Sequence, residues 1–291
     1  MPQLNTAADF LWRNARLLDR RLFAHLFAGG PAEAVVAALQ AYQNPDGGFG
    51  NALEPDMRCP DSQPVAAEMA LEYLHLAGGA PAVVARVCDH LRSITTAEGG
   101  VPKVLPTVMG YPRAPWWQAP SGPPADINPT AGIAGLLHAL GARHPWLEGA
   151  TAYCWRVIET AELDRPHDFL CIMRFLSHVP DRERAERNFA RMAARMAATG
   201  AVTLDPRATG YVKMPLEWAP TPDALCRRLF ADDVIAAHLD ALAARQAEDG
   251  GWPVSWPSLS PANLSEWRGR VTLQALITLR AYGRLPGCPG C

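Results

Sequence analysis

The stretch Gln43-Asn44-Pro45-Asp46-Gly47-Gly48-Phe49-Gly50 decides the architecture, because it comes twice. The second copy is Gln246-Ala247-Glu248-Asp249-Gly250-Gly251-Trp252, with weaker echoes at Glu98-Gly99-Gly100-Val101-Pro102 and Thr199-Gly200-Ala201-Val202. Both strong copies end an Ala-rich amphipathic run and lead through a Pro-rich loop into another Ala/Leu-rich run. Recurrence of this kind marks a chain built from repeated supersecondary units. Glycine ends a helix in the left-handed conformation that other residues avoid, and an aromatic side chain just past it folds back onto the helix end. Each copy therefore reads as the stop of one helical hairpin, with Phe49 and Trp252 as structural plugs.

Proline and glycine punctuate the remainder. Pro31, Pro64, Pro81, Pro129, Pro145, Pro166, Pro180 and Pro222 each stand before an Ala/Leu/Arg-rich periodic run, and proline suits the first turn of a helix. Those runs stop at glycines, and no sustained alternation of β-branched residues signals a strand. The expectation is about eleven helices and essentially no sheet. Tight turns join helices near 6–27 and 32–43, 64–77 and 81–94, 129–140 and 146–161, 166–178 and 181–198, and 222–230 and 232–247. Longer linkers, 44–63, 95–128, 199–221 and 248–263, separate the pairs and precede a last helix near 264–282. Short turns make antiparallel hairpins, which sends the long linkers to one face. The pattern fits an all-α fold, a single (α/α) toroid of about five to six hairpins. The apolar run Ile133–Leu140 belongs inside, and Arg182–Arg187 outside. Inner helices then follow the long loops and turn their positive amino ends toward one mouth.

With 291 residues, 49% of them hydrophobic, the chain has core enough for one large domain over 1–291, with 284–291 as a flexible tail. The balance of 29 acidic against 27 basic side chains gives no reason to expect nucleic acid or an anionic membrane. No apolar run reaches the length of about 18 residues that a membrane span needs, and Met1-Pro2-Gln3-Leu4-Asn5 does not open a signal peptide. Seven scattered cysteines suit reduced thiols and a cytoplasmic location. Cys288-Pro289-Gly290-Cys291 has metal-like spacing but no partner pair, and reads as tail.

The two Gln-x-x-Asp-Gly-Gly-Phe/Trp copies resemble the QW-type repeats of the squalene/terpene cyclase and prenyltransferase superfamily. The resemblance covers the hairpin plan, with sharp matches only at 43–50 and 246–252. It implies a toroid whose cavity takes an isoprenoid. Class II cyclases protonate that substrate with an Asp-x-Asp-Asp-Thr-Ala motif, and Asp126-Ile127-Asn128-Pro129-Thr130-Ala131 stands in its place. The match holds at Asp126, Thr130 and Ala131 and fails at Asn128 and Pro129. Asn128 aligns with the family's proton donor and cannot supply a proton. Asn128 and Pro129 read equally well as a helix cap and first residue, and Asp126 as either a cap or a working carboxylate. The zinc ligands of the prenyltransferase branch find no convincing set here beyond Asp56 and Cys59.

Loop 50–63 gathers Glu54, Asp56 and Asp61 ahead of an inner helix. Crowded carboxylates of this kind raise one another's pKa and supply general acids; Asp61 also suits a cap. Only two of the basic residues are lysines, Lys103 and Lys213, in related Val-Pro-Lys and Val-Lys-Met-Pro surroundings. As compact point charges they suit a diphosphate, or are ordinary loop cations. Among the linker aromatics, Tyr211, Trp116, Trp117, Trp218 and Trp256 are candidates to line a cavity and shelter positive charge. Arg268, with Glu266 and Arg270, opens the last helix; His167-Asp168 opens an inner one. No metal-binding, P-loop, nucleophile-elbow or dinucleotide signature is present.

The expectation is a terpene-cyclase-like enzyme acting on a small apolar substrate by proton-initiated cyclisation. Asp126, Glu54 and Asp56 would handle the proton. Lys103, Lys213, Arg268, Asn128 and the aromatics would bind. No cofactor is expected, save Mg²⁺ where the substrate is an isoprenoid diphosphate. The alternatives are a carbohydrate-active α/α toroid, glycosidase or lyase, with a carboxylate acid/base pair, and a non-catalytic binding toroid.

Overall fold

A computed structural model describes residues 2–285. Among them are twelve α-helices and no β-strand, so the all-helical expectation stands. The helices are α1 (Leu4–Asn14), α2 (Leu17–Phe27), α3 (Ala32–Gln40), α4 (Pro64–Leu76), α5 (Pro81–Ser93), α6 (Ile127–Ala139), α7 (Pro145–Thr160), α8 (Pro166–His178), α9 (Arg182–Thr199), α10 (Pro215–Trp218), α11 (Asp232–Ala244) and α12 (Pro261–Ala281). Short 3-10 helices occupy Pro106–Gly110 and Leu225–Leu229. Proline is at the start of α4, α5, α7, α8, α10 and α12, where its missing N–H costs no helical bond. No described helix is long and apolar enough to cross a membrane.

Three boundaries differ from those read in the sequence. The run 6–27 is two helices, because Ala15 and Arg16 take extended dihedrals between α1 and α2. The run 222–230 carries only the 3-10 helix, and the proline-led helix before it is α10. In the tail, Leu285 is buried and Arg284 pairs with Asp240; Cys288 and Cys291 lie outside the described residues.

The chain forms two compact units, 35–199 and 1–34 with 200–291, with α3 across their boundary. In the first, α4, α6 and α8 run parallel. Gly132 of α6 faces Glu68 of α4 and Cys171 of α8, Gly135 one turn on faces Arg174, and the rings of His75 and His178 lie 6.0 Å apart near the carboxyl ends of α4 and α8. Every residue of α6 from Ile127 to Leu137 is buried, as its apolar sequence requires. Helices α5, α7 and α9 return on the outside, where α9 exposes its charged side chains. In the second unit α12 packs on α1 and α2: Gly269 touches Ala15, and the Arg280 guanidinium reaches the Leu26 carbonyl.

The repeated turn has one hydrogen-bond scheme in both copies. Gln43 Nε2 donates to Gly47 O (2.9 Å), Asn44 N to Gly48 O (2.9 Å), and Gly48 N to Asp46 Oδ1 (2.9 Å). Gln246, Ala247 and Gly251 repeat these bonds at 3.0, 2.9 and 3.1 Å. The echo at 96–100 keeps the backbone bond, Thr96 N to Gly100 O, at 3.0 Å. In all three, the acid fastens the turn to the next long helix or its lead-in. Asp46 accepts from Ser62 Oγ (2.7 Å) just before α4, Glu98 from Ala125 N (3.0 Å) just before α6, and Asp249 receives both Arg268 nitrogens of α12 at 2.7 Å. Phe49 and Trp252 are fully buried, as plugs should be.

Gly47 (φ +88°) and Gly250 (φ +91°) are left-handed, and a Cβ on either would run into a backbone carbonyl, that of Arg86 or Thr6. Gly29 (φ +67°) has nothing within 4 Å of its Cβ position. Urea unfolding should therefore show Gly47→Ala and Gly250→Ala losing about 2–4 kcal/mol, and Gly29→Ala about 1 kcal/mol, the cost of a left-handed non-glycine residue alone.

A candidate acid–base site at the amino ends of α6 and α8

The long loops of unit 35–199 do collect at one end of its parallel helices. Met57, Cys59, Val65, Val104 and Val108 form one apolar cluster, with Trp117 and Ala119 against it. Backbone bonds zip the two loops together, Arg58 N to Pro112 O (2.9 Å) and Ala114 N to Asp56 O (2.8 Å). The Gln63 amide, just ahead of α4, accepts from Leu105 N (2.8 Å) and donates to Thr107 (2.9 Å). Glu54 and Asp56 are buried in this loop body, downstream of Asn51 and Ala52 at φ 55° and 61°. Positive φ at a non-glycine such as Ala52 stores strain that only a well-determined loop sustains.

Asp126 caps α6, its Oδ1 accepting from Asn128 N at 3.1 Å. Asn128 itself has non-helical dihedrals, so the regular helix begins at Pro129, as the Asn-Pro pair suggested, while the capping oxygen comes from Asp126. Arg165, just before α8, grips Asp126 through two nitrogens at 2.8 and 3.2 Å. Its Nε donates to Asp168 Oδ2 at 2.7 Å. One guanidinium thus joins the amino ends of α6 and α8. Both oxygens of Asp126 are taken up, which suits a group that positions Arg165 better than one that delivers a proton.

Asp168 is different. Its side chain is 2% exposed, and its Oδ1 is buried with no hydrogen-bond partner among the described residues. Burial pushes its carboxyl up to about 6, with Arg165 and Lys103 opposing the shift. A carboxyl poised there exchanges its proton near neutral pH, as general acids and bases do. From Asp168 a polar line continues down α8 at helical spacing, through Cys171 and Arg174. Arg174 holds Glu68 and Glu72 of α4, each at 2.6 Å, with Glu68 in the space left by Gly132, while Gly135 lies against the α8 backbone. Burial drives the Cys171 thiol far up, which keeps it unreactive.

Arg165, Glu68, Glu72 and Arg174 were not singled out in the sequence. A signal exists for the first: Arg165-Pro166-His167-Asp168 matches Arg16-Leu17-Leu18-Asp19 at the start of α2. Both put an Arg before the helix and a buried Asp in its first turn, with Nε–Oδ2 distances of 2.7 and 2.8 Å.

The other expected residues fall into two groups. Lys103 lies 5.3 Å over the Trp117 ring and within the electrostatic reach of Asp168, while Trp116 is exposed on the same loop. In the unit containing 200–291, Lys213 lies 4.7 Å over Tyr211 and pairs with Glu217 at 2.8 Å. Burial alone would lower its pKa, but Glu217 and Tyr211 outweigh it and raise the value. Tyr211, Trp256 and Trp267 meet edge to face, with centroids 5.8 and 5.1 Å apart, and Trp218 is in the core. Arg268, expected at the start of the last helix either to pair with Glu54 or Asp56 or to bind an anion, sits inside α12 and is held by Asp249. Arg268 belongs to the repeat turn because that turn's acid needs a partner. Among the described residues no three His, Cys, Asp or Glu side chains are grouped to hold a metal.

No protein-family model matches the chain, and no curated protein matches it in sequence.

The folded state holds the Asp168 proton more tightly than the unfolded chain does. This group's contribution to stability is whole below about pH 3.8 and is lost as pH rises through about 6. Such a shift amounts to about 3 kcal/mol. Urea titrations from pH 4 to pH 7 should show wild type losing up to about that much stability relative to Asp168→Asn. A pH-independent difference would contradict the placement of Asp168.

Proposed function

We propose that the chain is an acid–base enzyme of α/α-toroid type in which Asp168 gives and takes the proton and Arg165, held by Asp126, fixes its geometry. The observation that carries this is the buried, unpartnered Oδ1 of Asp168 on a carboxyl poised near pH 6. The toroid is supported by the parallel inner helices α4, α6 and α8, each backed by a returning outer helix, and by loops gathered over their amino ends.

The substrate class follows from what borders the acid. Glu68, Glu72 and Arg174 remain partly exposed along the α4–α8 line below Asp168, with side-chain exposures of 14%, 22% and 32%. Charged groups that keep their water make a poor wall for an apolar chain, which would strip that water without replacing it. A hydroxylated substrate replaces those hydrogen bonds. The preferred reading is therefore the carbohydrate-active one, a glycosidase or lyase, with a sugar near Trp116 and Trp117. The isoprenoid reading is second; the QW-like turns and the lysine–aromatic pairs favour it.

The test is turnover and binding on a panel of oligosaccharides, neutral and uronic-acid-containing, set beside farnesyl diphosphate. Sugar turnover should fall about 10²–10⁴-fold in Asp168→Asn with binding retained, the range for loss of a general acid or base. Asp126→Asn should cost less and shift the pH profile, because it acts through Arg165. Undiminished turnover in Asp168→Asn overturns the proton assignment, and turnover of the isoprenoid alone overturns the substrate class.

A further inference from the structure

Of the two lysines, only Lys213 has a counter-ion: Glu217 meets it at 2.8 Å, while Lys103 has no carboxylate at ion-pairing distance among the described residues. Lys103 is nonetheless placed firmly. On one side of it, Val101 exchanges bonds with Thr130 Oγ1 at 3.0 and 3.2 Å and accepts from Asp126 N at 3.0 Å. On the other, Leu105 N donates to Gln63 at 2.8 Å. Between these anchors Lys103 is half-buried as a residue, with its Nζ 5.3 Å from the centre of the Trp117 ring. A lysine fixed in place with no carboxylate in reach is left to pair with a ligand, and a ring face supplies only part of what an anion would.

The surrounding charges point the same way. Arg165 is already shared by Asp126 and Asp168. When Asp168 carries the proton that a general acid must carry, Arg165 is left to Asp126 alone, and Lys103 has no carboxylate at ion-pairing distance among the described residues. We propose that Lys103 binds an anionic group of the substrate, a carboxylate or a phosphate, beside Asp168, so that the substrate is an acid. This rests on the assignment of Asp168 as the proton-carrying group. Lysine suits the role as a compact, mobile point charge, whereas an arginine is built for planar, bidentate partners.

Calorimetric titration of the full chain with oligogalacturonate, pyrophosphate and neutral maltotriose tests this, using wild type, Lys103→Met and Lys103→Arg. One acidic probe should bind at least about tenfold tighter than maltotriose, lose about tenfold or more in Lys103→Met, and be partly kept in Lys103→Arg, the scale of one charge-assisted contact. Oligogalacturonate binding assigns a carboxylate, and pyrophosphate binding a phosphate. Unchanged melting temperatures of the variants exclude unfolding as the cause. Equal affinity for acidic and neutral probes, full affinity in Lys103→Met, or no acidic probe bound would each overturn the proposal. Neutral-sugar turnover that still depends on Asp168 would overturn it while leaving the acid–base reading intact.

Discussion

The acid of the Asp-Gly-Gly turn is the contact on which each unit's layout depends. A left-handed glycine lets the chain double back beside a neighbouring carbonyl, and the acid before it takes hold of the start of the next long helix or its lead-in. Asp46, Glu98 and Asp249 do this with three different partners, Ser62 Oγ, the Ala125 amide and the Arg268 guanidinium. The partners differ because any donor at the start of the next element satisfies a carboxylate. The register between a hairpin and its successor is thereby fixed locally, before any long-range packing is counted.

Asp46 and Glu98 set α4 and α6 in this way, while α8, which no such turn precedes, is tied to α6 by Arg165. Because α4, α6 and α8 are held parallel with their first turns level, polar groups at one height on each helix meet their counterparts on the next. Asp126 and Arg165 meet at the amino ends, Glu68 and Cys171 a turn and a half lower, and Arg174 with both glutamates below that. The glycines of α6 are what allow it. A side chain at Gly132 would occupy the position of the Glu68 carboxylate, and one at Gly135 would strike the α8 backbone at 2.8 Å. The same closeness explains why Asp168 holds its proton more tightly than an ordinary carboxyl does. Burial removes it from solvent, and the one guanidinium bonded to it is divided with Asp126.

Sequence reasoning located most of this end of the unit. The turn repeats, the proline-led helices, the buried α6 and the loops carrying Glu54, Asp56, Lys103 and Asp126 were legible because they depend on local conformation and on hydrophobic periodicity. It misjudged the first helix, since nothing in Asn14-Ala15-Arg16 announces a break without proline or glycine. It assigned Arg268 to a ligand because a lone arginine in a sequence has no visible partner, and Asp249 lies nineteen residues away.

What the sequence determined by itself is the all-helical class, the hairpin stops and the plugging roles of Phe49 and Trp252, since these are set by backbone preference within a few residues. Only the tertiary structure decided which carboxyl has its pKa raised by burial. Asp126 and Asp168 are alike as residues, each in the opening turn of a helix, and burial and the sharing of one guanidinium set them apart. Those are properties of neighbours brought together from distant parts of the chain, and no local pattern encodes them.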